Sequence, residues 1–282
     1  MKTSFCLDDS PHFRMVELDI VDSTNSFLRG YHPLQPADII LVTAEYQTAG
    51  RGQQSNAWES ERGKNLLFSL LLHPSQLPAT QMFVLSEAIA LSIRDAINLT
   101  MNEAANGDPS LNLQPLKIQL QTPAVTVKWP NDLYVGDSKV AGILIENDIA
   151  GQYLSRSIIG CGVNINQKYF QSDAPNPVSL LQLTGRETER QLVLQAILSA
   201  FVHRYDLIQQ GEYASIHADY RHVLYRGSGQ HLFYDADGTF RAAIVDVQPD
   251  GHLLLRDEDG KLRCYAHKEV TFLPSDCDDV QG

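Results

Sequence analysis

Four short words are strung along the first half of the chain: Asp22-Ser23-Thr24-Asn25, Ala49-Gly50-Arg51-Gly52, Lys128-Trp129-Pro130-Asn131-Asp132 and Lys139-Val140-Ala141-Gly142. They bring three cations, Arg51, Lys128 and Lys139, among glycines and small hydroxyls. A guanidinium pairs with carboxylate or phosphate as a planar fork, and an ammonium does so as a point charge. Glycines let the backbone come close to a ligand. Asn131 and Asp132, at a strand terminus, could touch a nucleotide, a magnesium ion or an incoming amine. Such a set suits a site that holds two anions against each other and stabilises the charge developing between them.

Each word also has a plainer reading. Gly50-Arg51-Gly52-Gln53-Gln54-Ser55 almost spells a dinucleotide fingerprint, but its last position is serine and no apolar helical period follows over residues 53–61. It reads either as a surface loop or as a segment folded over an anion, with Trp58 offering a flat face to a purine or anchoring the loop in the core. Ser23 and Thr24 suit a helix N-cap or a polar ligand ring. Asn131-Asp132 after Pro130 is ordinary turn chemistry as well as a candidate contact. Lys139 enters an apolar strand, so it either snorkels to solvent or stands at the rim of a cleft, with Gly142 leaving space beside it.

The elements that must position these residues follow from periodicity. Residues 39–44, 65–72, 125–129, 139–146 and 157–166 read as strands, and 80–99 and 189–209 as helices. In the last of those strands Ile159, Cys161, Val163 and Ile165 share one face. Gly160, Gly162, Asn164 and Asn166 share the other, which is bare enough that a ligand or another backbone should approach it closely. Residues 47–63 form a long polar loop and 102–123 an irregular insertion. From residue 230 to 273 five short strand candidates alternate with Asp-Gly turns, the pattern of a small β-barrel.

Composition narrows the class. The chain has 282 residues, 43% hydrophobic and 20% charged, enough for a sizeable core, and its net charge of −12 argues against a duplex-DNA groove. The four cysteines are scattered, so neither a zinc site nor a disulfide framework is indicated, which favours a reducing compartment. Neither a secretory leader nor a membrane-spanning run is visible, so a cytoplasmic location is expected.

The four words in this order resemble the biotin protein ligases, over nearly the whole chain. The resemblance implies an α+β fold: a mixed sheet with helices, related to class II aminoacyl-tRNA synthetases, over residues 1–225, then an SH3-like β-barrel over 226–282. It implies that ATP activates biotin to biotinyl-5′-AMP and that biotin passes to a lysine of a biotin carboxyl carrier domain. Ser23, Thr24, Gln47, Gly50, Arg51, Gly52 and Gly142 would surround biotin, and Gln53 stands where many members carry a second arginine. Trp58, Lys128, Asn131 and Asn164 would serve the nucleotide, Lys139 the carboxylate and α-phosphate, and Asp132 the acceptor amine. Magnesium is implied with ligands unassigned, and a homodimer stays open. The short stretch before Asp22 points to the ligase-only type without a DNA-binding winged helix. The rivals are a lipoate–protein ligase of the same fold and a non-catalytic biotin sensor or repressor.

Overall fold

The computed structural model describes residues 13–32, 39–52, 57–106, 124–171 and 176–274. A seven-stranded sheet runs in the order β1-β2-β3-β7-β6-β5-β4. Its strands are β1 (Phe13–Val21), β2 (Ile39–Gln47), β3 (Leu66–Leu72), β4 (Val125–Lys128), β5 (Asp132–Val135), β6 (Ser138–Ala150) and β7 (Tyr153–Val163). Only β1 and β2 run parallel; the other neighbours are antiparallel.

β3 lies between β2 and β7, and all of its residues are buried. Period-two alternation divides them between the faces. Leu66, Phe68, Leu70 and Leu72 enter the main core with α2 (Val84–Asn106) and α4 (Arg190–Gln209). Leu71 faces the other way, with Ile40, Val42, Ile158 and Leu28 of the short helix α1 (Thr24–Arg29). Both long helices present the stripes their periodicity predicts: Leu85, Ile89 and Ile93 on α2, and Val193, Ile197, Phe201, Tyr205 and Ile208 on α4, all buried. Truncating any of the larger aliphatic ones to alanine would cost about 2–5 kcal/mol.

α3 (Leu180–Thr184) is closed by a capping box in which Ser179 accepts from the Gln182 N–H. After α5 (Tyr213–His222) comes a five-stranded antiparallel sheet in the order β11-β10-β9-β8-β12. Its strands are β8 (His231–Asp235), β9 (Gly238–Val247), β10 (Leu253–Asp257), β11 (Leu262–Tyr265) and β12 (Thr271–Phe272). Each of the five predicted strands of this region is present, with its ends displaced by no more than two residues. The turn glycine Gly251, at φ +95°, faces the large sheet: its carbonyl accepts from Trp129 Nε1 at 2.9 Å.

Three expectations need correction. Residues 102–106 belong to α2, because Met101 is still buried on its core stripe, and residues 107–123 lie outside the described residues. The predicted strand at 157–166 ends at Val163, and the amides of Asn164 and Asn166 turn to neighbouring backbone. Asn164 Nδ2 donates to Val178 O at 3.2 Å, and Asn166 Nδ2 to Thr188 O at 2.8 Å. Ser23 occupies the N-cap position of α1, but its side chain makes no capping hydrogen bond.

Candidate active site

The four words meet in one cavity of about 920 Å³. It crosses the sheet from β2 to β4 and is lined by Ser23, Thr24, Gln47, Arg51, Gly52, Trp58, Lys128, Asn131, Asp132, Lys139, Gly142 and Asn164. Of the residues singled out from the sequence, Gly50 sits beside this lining: its carbonyl accepts from the Trp58 N–H at 2.9 Å. Gln53 lies outside the described residues.

At the β2–β3 side the cavity is lined by hydroxyls and amides. Ser23, Thr24 and Asn25 are all buried. The Thr24 N–H and hydroxyl donate to Gln47 Oε1 at 2.7 and 3.0 Å. Ser69 Oγ lies 2.7 Å from both Thr24 Oγ1 and Asn25 Oδ1. This network fixes hydroxyls and amides where a neutral polar ring could replace some of their bonds.

The floor is the bare strip foreseen on β7, widened by a cross-strand neighbour, since Gly142 of β6 pairs with Gly162 of β7. What approaches it is the chain itself. A Cβ on Gly160 would lie 2.2 Å from Asn25 Oδ1, and one on Gly162 2.3 Å from Trp58 Cε2. The Trp58 Nε1 is buried without a hydrogen-bond partner, an unsatisfied donor at the floor.

The cations stand toward β6, β5 and β4. Lys139 Nζ pairs with Asp132 Oδ1 at 2.7 Å and lies 5.7 Å from the Trp58 ring centroid. A bulge places it there. The β5–β6 register goes from Leu133↔Ala141 to Tyr134↔Lys139, skipping Val140. In a regular strand residues 139 and 142 would face opposite sides. The extra residue turns Lys139 to the face of Gly142, where its Cε stands 3.3 Å from a Cβ built on that glycine. Its backbone is pinned by Lys139 N–H to Asn176 O at 2.8 Å and Val178 N–H to Lys139 O at 2.9 Å.

Lys128 points away from Val125 and Val127, as the alternation predicts, into a ring-lined niche. Its Nζ lies 4.7 Å from the Tyr134 centroid and 5.6 Å from those of Tyr225 and Phe272. Burial pushes its pKa down, Asp132 opposes this, and Arg226 and Lys139 add to the fall. Asn131 holds the strand ends together: its Nδ2 donates to Ile143 O and its carbonyl accepts from the Ile143 N–H. Arg51 lines the cavity, yet its guanidinium turns to Glu146, at 3.1 and 3.4 Å.

The small sheet also contributes. His267, Lys268, Val270, Thr271 and Phe272 complete the wall. The sequence reading did not single them out, because nothing local ties residues 267–272 to words more than a hundred positions away. Lys268 stands at φ +74°, a conformation that side-chain-bearing residues rarely adopt, and strain of this kind is concentrated at functional sites. Among the described residues no group of three or more His, Cys, Asp or Glu is arranged to hold a metal ion.

The cavity sets hydroxyls and amides across a glycine floor from Lys128 and Lys139, an arrangement suited to the class of proteins that hold a polar ligand beside an anion. Residues 17–164 match the model of the biotin/lipoate A/B protein ligase family, and the chain belongs to that family. The bifunctional ligase/repressor BirA of Bacillus spizizenii is 28% identical over 89% of this chain and 72% of its own length. The biotin–[acetyl-CoA-carboxylase] ligase of Paracoccus denitrificans is 31% identical over 57% of this chain and 60% of its own. In fold, the biotin protein ligase of Aquifex aeolicus in complex with biotin and ATP superposes with a TM-score of 0.69 at 22% identity. That match covers 93% of this chain and 99% of the other.

Proposed function

We propose that the protein is a biotin protein ligase, which activates biotin with ATP and transfers it to a lysine of a biotin carboxyl carrier domain. The observation that carries this reading is the convergence of all four words on one cavity, hydroxyls and amides at one side and Lys128 and Lys139 at the other. The ureido ring belongs with Ser23, Thr24 and Gln47, and the purine with Trp58, Asn131 and Asn164.

In the first step a biotin carboxylate oxygen attacks the α-phosphorus of ATP. The bond to the bridging β-phosphate oxygen breaks, and pyrophosphate leaves with the electron pair. Lys139 and Lys128 offset the repulsion between the anions and stabilise the charge that develops. In the second step the ε-amine of the carrier lysine attacks the acyl carbon, AMP leaves, and the amine loses its proton. Asp132, already paired to Lys139, orients that amine. Magnesium would enter with the triphosphate, since the described carboxylates do not form a protein cage for it.

The same reading divides the chain into a catalytic unit over residues 1–225 and a small C-terminal unit over 226–282. It places the enzyme in the cytoplasm and assigns it no nucleic-acid partner, in keeping with its net charge of −12. ATP–pyrophosphate exchange with biotin and lipoate side by side tests it. Exchange should depend on biotin; equal or faster exchange with lipoate would make the protein a lipoate ligase instead.

A further inference from the structure

Glu146 does not line the cavity, yet two of the side chains covering its floor depend on it. Its Oε2 accepts from Asn25 Nδ2 at 2.9 Å, and Asn25 covers Gly160. Its two oxygens also take the two Nη atoms of Arg51 at 3.1 and 3.4 Å. Arg51 sits at the base of a hairpin: it bridges to Ala57, and the Trp58 N–H donates to Gly50 O at 2.9 Å. Trp58 in turn lies on Gly142 and Gly162. A continuous chain of contacts therefore runs from Glu146 through Arg51 to the indole on the floor.

Glu146 is kept charged for this role. Burial opposes its ionisation, but the Asn25 amide and the Arg51 guanidinium, with Arg29 behind them, outweigh it and hold its carboxyl below the usual range. Arg29 needs Glu146 less: it lies 3.4 Å from it but 2.8 Å from Asp148, which Arg156 also engages at 2.7 Å. With both Nη atoms committed to a carboxylate outside the cavity, Arg51 is poorly placed to neutralise a ligand anion. Its place in the fold is that of an anchor.

We propose that Glu146 is a positioning residue, which acts through Arg51 to seat the Gly50–Trp58 hairpin base on the biotin-binding floor. The proposal rests on the biotin ligase reading and assigns Arg51 to loop placement in place of charge offset. Glu146→Gln is the informative variant, because the amide can still accept from Asn25 while the ion pair to Arg51 is lost.

Biotin affinity and steady-state pyrophosphate exchange are measured for the wild type, Glu146→Gln, Arg51→Met and the double variant. Amide hydrogen exchange at Trp58 is followed in the same four proteins. Each single variant should weaken biotin binding about tenfold, raising KM for biotin with kcat within threefold, and the double variant should be no worse than Arg51→Met alone. The Trp58 amide should lose its protection in all three variants. Multiplying effects in the double variant, wild-type biotin affinity in Glu146→Gln, or a Trp58 amide that stays protected would each overturn the anchor. If Glu146→Gln does not fold, Arg51→Met alone decides, since Arg51 is exposed and its loss should still release the Trp58 amide. A wild type that neither binds biotin nor exchanges pyrophosphate would sink the functional reading, while the Trp58 amide would still test the anchor.

Discussion

At the scale of residues the cavity separates its cations by what they are already bound to. Arg51 is committed to Glu146, and Lys128 is set among rings in a niche whose burial pushes its pKa down. Lys139 holds a single carboxylate, Asp132, and stands at the glycine floor. It is the cation best placed to meet an oxyanion forming between carboxylate and α-phosphate. A charge so placed is worth roughly 3 kcal/mol, or about a hundredfold in rate. Lys139→Met should therefore lose about a hundredfold in biotin-dependent pyrophosphate exchange while the far-UV circular dichroism is unchanged. A loss below fivefold would return Lys139 to the role of a lysine reaching for solvent. Most of these residues were legible in the sequence because cations, glycines and small hydroxyls are rare in so compact an order. Glu146 was not: in Ile145-Glu146-Asn147 it looks like any charge on the exposed part of a strand, and only the fold brings it to Asn25, Arg29 and Arg51.

At the scale of elements, β6 and β7 make the site. The bulge at Val140 puts Lys139 and Gly142 on one face, and the pairing of Gly142 with Gly162 makes a strip without side chains two strands wide. The strip on β7 was readable from its alternation, since period two is strict in a strand. The bulge was not, because it depends on the register chosen with β5. Other elements were hard to see for a related reason. β1 is an edge strand whose charged residues Arg14, Glu17 and Asp19 interrupt its apolar pattern, and α5 buries only Ile216 and Tyr220. The strip itself can be tested. A methyl on Gly162 would meet the Trp58 ring at 2.3 Å, so Gly162→Ala must move the indole away while β7 keeps its pairing. KM for ATP should rise at least tenfold, and Trp58 should become more accessible to a fluorescence quencher, with Trp129, held by Gly251, as the unchanged reference. Unaltered quenching together with unaltered KM would show that the floor tolerates a side chain.

At the scale of the whole molecule, the small sheet is fastened to the end of β4, the start of α2 and α5. Trp129 Nε1 donates to Gly251 O, the Phe83 N–H to Pro249 O at 3.2 Å, and Arg221 Nη2 to Val245 O at 3.1 Å. The titrating part of this fastening is His217 on α5. Its Nδ1 lies 2.8 Å from Glu87 Oε1 on α2 and its Nε2 3.1 Å from Asp246 Oδ1 on β9. An imidazole can donate at both nitrogens only when protonated. The bond to Glu87 raises its pKa, burial opposes this, and Asp246 adds to the rise. Glu87 is buried, which pushes its own carboxyl up against the pull of His217. Arg221 Nε, 3.3 Å from Asp246, supplies the other charge at the joint, and the neighbouring Tyr220 is buried with its hydroxyl unpartnered. A histidine raised in the folded state contributes stability that is complete below its unfolded value of about 6.5 and is lost as pH rises through the folded value. Each unit of separation is worth about 1.4 kcal/mol, and in a chain of this size 1 kcal/mol moves Tm by roughly 2–4 °C. The melting temperature should therefore fall between pH 6 and pH 9 in the wild type. In His217→Gln, which keeps one neutral donor between the two carboxylates, it should start lower and stay nearly flat over the same range. Thermal unfolding followed by circular dichroism across that range measures both slopes, and parallel slopes would show that a group other than His217 sets the pH dependence of the joint.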